Sequence, residues 1–333
     1  MTLDAVTKLG PQTRPRTTDS GLPTNSRRDF LRRASSLTLA WSTSASWEQA
    51  TSRPLTNPIG YATISWPQSQ FLQALDTISS LGFAGVQMLG RVKDAFGGDK
   101  ADELKERLRK LRLQPAALSC SKVKLDPAHL QDESGQVREY AAFLKGLGGF
   151  NLQLTDSGSA DGKYSRSQMK TFGAHLNDLG KTAEEFGLNL GYHPHFGTFG
   201  ETREGLKRVL DATDPRYVKL IADVAHLALG GSDPAEVIRT YHERISLVHL
   251  KDVRKDVAEL AQANRDLVRS GAYHFCEIGR GAVDFPAVLH ALSGFQGWLI
   301  VELDGYEVPP GGPAESAAIN KGALQKLGLT ALL

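Results

Sequence analysis

Residues 217–254, YVKLIADVAHLALGGSDPAEVIRTYHERISLVHLKDVR, decide the reading of this chain. An apolar run ends in Asp223; a loop and a helical pattern follow, and a second apolar run ends in His249. The two residues lie 26 positions apart, the length of one strand-plus-helix unit. A carboxylate and an imidazole therefore stand at the carboxyl ends of successive strands, where parallel α/β folds carry their chemistry. Taken singly, Asp223 reads equally well as a helix cap. The recurrence of the pattern along the chain is what argues for a site.

Outward from this stretch the same alternation continues. Apolar runs at 59–64, 84–89, 113–119, 150–155, 188–193 and 298–303 read as strands, and with 217–223 and 245–250 they make eight. Between them lie helical patterns. Phe71, Leu75 and Ile78 share one face, as do Leu104, Leu108 and Leu111 after a candidate cap at Asp99. A helical pattern also fills 136–147. Ser165 opens a long helix with Met169, Phe172, Leu176 and Leu179 on a core-facing stripe, and Gly187 ends it. Further helices start near Thr202, Asp233 and Asp284. Eight such units over residues 57–333 fit a single (β/α)8 barrel. A doubly wound open sheet is the alternative, and no Gly-rich phosphate loop follows the first strand to support it. The last unit carries surplus length: a charged helical pattern at 255–270, then YHFCEIGRGAVDF. We expect a lid whose Glu277 or Arg280 approaches a ligand.

Composition narrows the class. The chain has 333 residues, 41% hydrophobic and 23% charged, with a formal net charge of +2, and the body shows no basic stripe interleaved with aromatics. Nucleic acid is therefore not an expected partner. No apolar run reaches the roughly 18–20 residues of a membrane span. Cys120 and Cys276 form no CxxC pair, so a thiolate zinc site is not indicated. Residues 1–50 differ in character: a Thr-, Pro- and Ser-rich stretch precedes SRRDFLRRASSLTLAWSTSASW, in which Arg27 and Arg28 followed by Phe30 and Leu31 resemble a twin-arginine export signal. The expected destination is periplasmic or extracellular, with the twin-arginine machinery as a partner. A homo-oligomer stays open.

At the strand ends stand GYHPHFGT, ADVAH, VHLKDVR and VELD. They bring His193, Asp223, His249 and Glu302 to one rim, a donor set suited to one divalent ion such as Mn, Fe, Co or Zn. His195, Asp252, Arg254 and Arg280 are the candidate substrate-binding groups, and Glu302, Lys251 and His226 the candidate catalytic ones. Lys251 reads alternatively as a surface lysine, and His226 as a residue of the following helix.

These motifs carry a resemblance. The chain resembles the sugar phosphate isomerase/epimerase superfamily, a xylose isomerase-like TIM barrel, and is most similar to its inosose dehydratase-like branch. There Tyr-His-x-His-x-Gly-Thr (here 192–198), Asp-x-x-His (223–226), Val-His-Leu-Lys-Asp-Val-Arg (248–254) and Gly-Trp-x-x-Val-Glu (297–302) recur in this order. The resemblance implies metal ligands at Asp223, His249 and Glu302. His193 stands where many members have a Glu, and His195 is its rival as first ligand. It further implies enediolate chemistry on a sugar, keto-sugar or cyclitol: isomerisation or epimerisation, alternatively dehydration of an inosose-like keto-polyol. An exported, non-catalytic sugar-binding barrel is the reading from another class. Apurinic endonucleases share this barrel, but the strand ends Ser65, Met88, Cys120 and Thr155 lack the extra ligands those enzymes use.

Overall fold

The computed structural model describes residues 55–124, 129–158, 165–264, 268 and 274–329. The expected export signal, and part of the expected lid, lie outside these residues.

Ten strands are described: β1 Ile59–Ala62, β2 Gly85–Leu89, β3 Gln114–Val123, β4 Asn151–Asp156, β5 Asn189–Tyr192, β6 Val218–Asp223, β7 Ile245–Leu250, β8 Asp252–Val253, β9 Phe275–Cys276 and β10 Trp298–Val301. Eight of them close a parallel barrel in the order β1-β10-β7-β6-β5-β4-β3-β2. The expected barrel is the one observed. Its strands are apolar runs, without polar alternation, because both faces are covered. Ala62, Ala116, Ala117, Ile221, Leu247 and Ile300 pack together as a small buried cluster. The larger core lies between strands and helices, where Met169, Phe172, Leu176 and Leu179 are buried on Arg166–Glu184. Fully burying one such side chain contributes about 1.5–3 kcal/mol.

Local signals explain most helix starts. Ser165 accepts from the Gln168 amide in a reciprocal capping box, and the side chains of Thr202, Asp233 and Asp284 cap their helices by accepting one backbone amide each. Asp99 precedes its helix but makes no side-chain cap bond, so its expected role is not realised. The first strand is shorter than expected, since Thr63–Ser65 tightens into a 3-10 turn. The helix expected from 136 begins at Leu130, and the helix Gly312–Lys326 was not anticipated. Among the described residues no helix is long and apolar enough to cross a membrane.

The insert before β10 is built differently from a plain helical lid. Its described helix spans Lys255–Ala263, and β8 pairs antiparallel with β9, Asp252 opposite Cys276. Val253, Ala258, Ala261, Phe275, Leu303 and Tyr306 join Ala225 and Leu229 in a separate apolar cluster. The insert thus carries its own core onto the segments that follow β6 and β10. Cys120 and Cys276 are both free.

Candidate metal centre

Strand register sets the site. Asp223 is the last residue of β6 and lies opposite His249 of β7, which in turn lies opposite Ile300 of β10. Glu302 follows β10 directly, its amide bonded to Leu250 O, and His193 follows β5, its amide bonded to Leu154 O. All four side chains are buried at the carboxyl rim. Asp223 Oδ2 lies 3.3 Å from His249 Nδ1 and 3.4 Å from His193 Nε2, and Glu302 Oε2 lies 3.6 Å from His249 Nδ1. Ligand atoms of Asp223, His249 and Glu302 fall within 4.8 Å of one another, as do those of His193, Asp223 and His226. The two roles open to Asp223 divide between its oxygens. Oδ1 caps the next helix by accepting from the Ala225 and His226 amides, while Oδ2 faces the imidazoles.

Lys251 is not a surface lysine. Its ammonium is buried, 3.1 Å from Glu302 Oε1 and 3.9 Å from Asp223 Oδ2, in an ion pair with Asp304, and 4.1 Å from the centre of the Phe275 ring. Burial alone would discharge it, but Asp304, Glu302 and Asp223 together raise its pKa above the ordinary lysine value. The three carboxylates thus favour the charged form of Lys251. Burial alone would likewise raise the carboxyls of Asp223 and Glu302. The groups around Asp223 (His226, Lys251, His193 and His249) hold it well below the usual range, and His249 and Lys251 lower Glu302. For His249, burial is outweighed by Glu302 and Asp223, and its pKa is raised.

His226 sits inside the site as well as in its helix. Its ring packs 3.8 Å from that of His195, and its Nε2 is 3.4 Å from Lys251 Nζ. Its Nδ1 accepts from the Phe196 amide, while His195 Nδ1 donates to Phe196 O. Burial lowers the pKa of both rings, that of His195 to about 4 with help from His193 and Lys251.

Three expected substrate-binding residues stand elsewhere. Asp252 is fully buried, and its two oxygens accept the amides of Val253, Gly279, Gly281 and Val283. Through these four amides it ties the insert down. Arg254 pairs with Asp256 at 2.6 Å and is 42% exposed, and Arg280 pairs with Glu277 at 3.1 Å and is 57% exposed. Glu277 itself is buried and accepts from Ser316 at 3.0 Å. Neither arginine joins the cluster around Asp223.

Several residues of the centre escaped the sequence reading. Gln87 of β2 and Gln153 of β4 reach the imidazoles, and Asp304 holds Lys251. The signal for the glutamines was present as neutral amides inside otherwise apolar strands. The strand ends expected from the sequence, Met88 and Thr155, lie one and two positions beyond these glutamines.

The description "xylose isomerase-like TIM barrel" belongs to a family model that matches residues 75–324. The chain belongs to that family. An inosose dehydratase of Clostridium perfringens (strain 13 / Type A) is 30% identical over 275 residues, spanning 74% of this chain and 89% of that protein. One from Geobacillus kaustophilus is 29% identical over 272 residues, with 74% and 87% covered. Among solved structures, the IOLI protein with a bound zinc atom superposes with a TM-score of 0.63 at 18% identity, covering 83% of this chain and 98% of that one. The 3-keto-D-glucoside 4-epimerase YcjR from E. coli gives 0.62 at 15%, covering 82% and 99%. At these identities the structural likenesses speak for the shared barrel.

Proposed function

We propose that this xylose isomerase-like protein is a divalent-metal-dependent enzyme that enolises a keto-polyol or sugar. Asp223, His249 and Glu302 are the residues that would hold the ion. The observation that carries this reading is the convergence of Asp223 Oδ2, His249 Nδ1 and Glu302 Oε2 beside a buried cation. Two carboxylates and an imidazole suit a first-row divalent ion. A bound ion would polarise a carbonyl and its neighbouring hydroxyl.

The chain's own groups supply the remainder. Lys251 keeps a positive charge, among buried side chains, where an enediolate's negative charge would build. Glu302 is the proposed proton acceptor, and the stacked rings of His195 and His226 stand beside Lys251. The full-length inosose dehydratase relatives favour dehydration, with loss of a β-hydroxyl after enolisation, as the outcome here. Epimerisation or isomerisation through the same enediolate is the second reading, since every residue named serves it equally. The arginine pair Arg27–Arg28 supports export by the twin-arginine route as part of the proposal.

The test is metal content with solvent hydrogen exchange. Asp223→Ala and His249→Ala should each lower bound metal at least about tenfold and abolish exchange of substrate carbon-bound hydrogen in heavy water. Glu302→Gln should retain metal and lose turnover, because an amide oxygen still coordinates but takes no proton. Full metal occupancy in the Asp223 and His249 variants would overturn the assignment.

A further inference from the structure

The Glu302 carboxylate does more than face a metal, because an ionised carboxylate only accepts hydrogen bonds. Gln87 places its amide nitrogen 3.3 Å from Glu302 Oε2, and the same nitrogen donates to Ser119 Oγ at 2.8 Å and to Gln153 Oε1 at 3.1 Å. Turning the Gln87 amide over would set its oxygen against the Glu302 oxygen, so Glu302 fixes which end is nitrogen. Gln87 Oε1 then faces His249 Nε2 at 2.9 Å, which must carry a proton. Gln153, with its oxygen already receiving from Gln87, presents its nitrogen to His193 Nδ1 at 3.1 Å. That nitrogen must be bare. With Nδ1 bare, the ring proton of His193 sits on Nε2, 3.4 Å from Asp223 Oδ2, on a buried atom without a hydrogen-bond partner.

We propose that the Gln87–Gln153 amide relay assigns opposite roles to the two imidazoles. His249 keeps its Nε2 proton and offers Nδ1 to the metal, whereas His193 presents an Nε2–H and is a hydrogen-bond donor instead of the fourth ligand. The relay places Gln87 and Gln153 as positioning residues, acting through the rings they touch. A neutral ring that yields its only proton would become an anion. His193 accordingly gives a hydrogen bond to an oxygen on the metal-bound ligand, without transferring the proton. A hydroxyl or developing oxyanion of a polyol is the ligand chemistry this fits. The inference rests on the proposed metal site only for what His249 binds; the tautomer of His193 follows from the amide chain alone.

The experiment is a histidine-labelled nitrogen–proton correlation spectrum of the full chain, recorded without metal and during titration with Zn²⁺. Protonated, bare and metal-bound ring nitrogens resonate apart. The chain has nine histidines, so His193→Gln and His249→Gln identify two of the patterns by their loss. On Zn²⁺ addition the His249 Nδ1 signal should move to the coordinated position, while His193 keeps a bare Nδ1 and a protonated Nε2 throughout. Gln153→Met should turn the single His193 pattern into an average of both tautomers and leave His249 unchanged. Gln87→Met, at a position that touches His249 directly and His193 only through Gln153, should disturb both, and Gln153→Leu provides a second replacement if the Met variant folds poorly. Movement of His193 Nε2 to a coordinated position, or a protonated Nδ1 in the wild type, would overturn the inference. Absence of any Zn²⁺-dependent shift at His249 would instead sink the metal reading while leaving the His193 result to stand or fall by itself.

Discussion

At the scale of the residue, two buried charges lead to distinct tests. Asp156, the last residue of β4, accepts the Gly158 and Phe199 amides and the Tyr192 hydroxyl at 2.6 Å, fastening the loop that follows His193. Burial raises its carboxyl to about 6, in spite of those hydrogen bonds. A raised acid favours the folded state while it is protonated. Its stabilisation is full below about pH 4, where the unfolded carboxyl is protonated too, and it is lost as pH climbs through 6. The shift of roughly two units is worth about 3 kcal/mol. Urea titrations of wild type and Asp156→Asn from pH 4 to 7 should therefore diverge, with the wild type alone losing that stability as pH rises. Parallel curves would refute it. Lys251→Met is the companion case. It leaves Glu302, Asp304 and Asp223 without their common cation, so unfolding free energy should fall by about 3–5 kcal/mol, read from denaturant midpoints. A change below about 1 kcal/mol would mean the ammonium is dispensable.

At the scale of the element, the described part of the insert is held by a strap. Its surplus length is plain in the sequence, yet its attachment is not: β8 is two residues long and its partner β9 lies beyond a helix. The strap is the Asp252 carboxylate, and it requires glycine at 281, where a Cβ would meet Val253 O at 2.2 Å and Asp252 Oδ1 at 2.3 Å. Asp252→Ala strands buried amides, each worth about 1–3 kcal/mol. Hydrogen exchange should speed up at Gly279, Gly281 and Val283 while amides of β6 and β7 remain protected. Uniform acceleration across barrel and insert would show that Asp252 supports the whole fold instead.

For the whole molecule, the proposed export carries its own check. Replacing Arg27 and Arg28 by Lys keeps the charge but removes the paired guanidiniums, so the protein should accumulate in the cytoplasm in cell fractionation. Normal periplasmic yield of the Lys–Lys variant would remove that reading. The sequence by itself determined the barrel and four of the converging residues, His193 among them. Strand and helix periods are local, and Asp223, His249 and Glu302 announce themselves by closing apolar runs. Only the tertiary structure decided the roles. Gln87 meets His249 across 162 positions and Glu302 across 215, and such partners exist only once β2, β7 and β10 share one closed sheet. Asp252 and Lys251 are adjacent in sequence, yet one turns to the insert's amides and the other into the ring of carboxylates. Side-chain direction at a strand end depends on what the closed barrel leaves unsatisfied, and that balance of burial and hydrogen bonding is absent from any local stretch of chain.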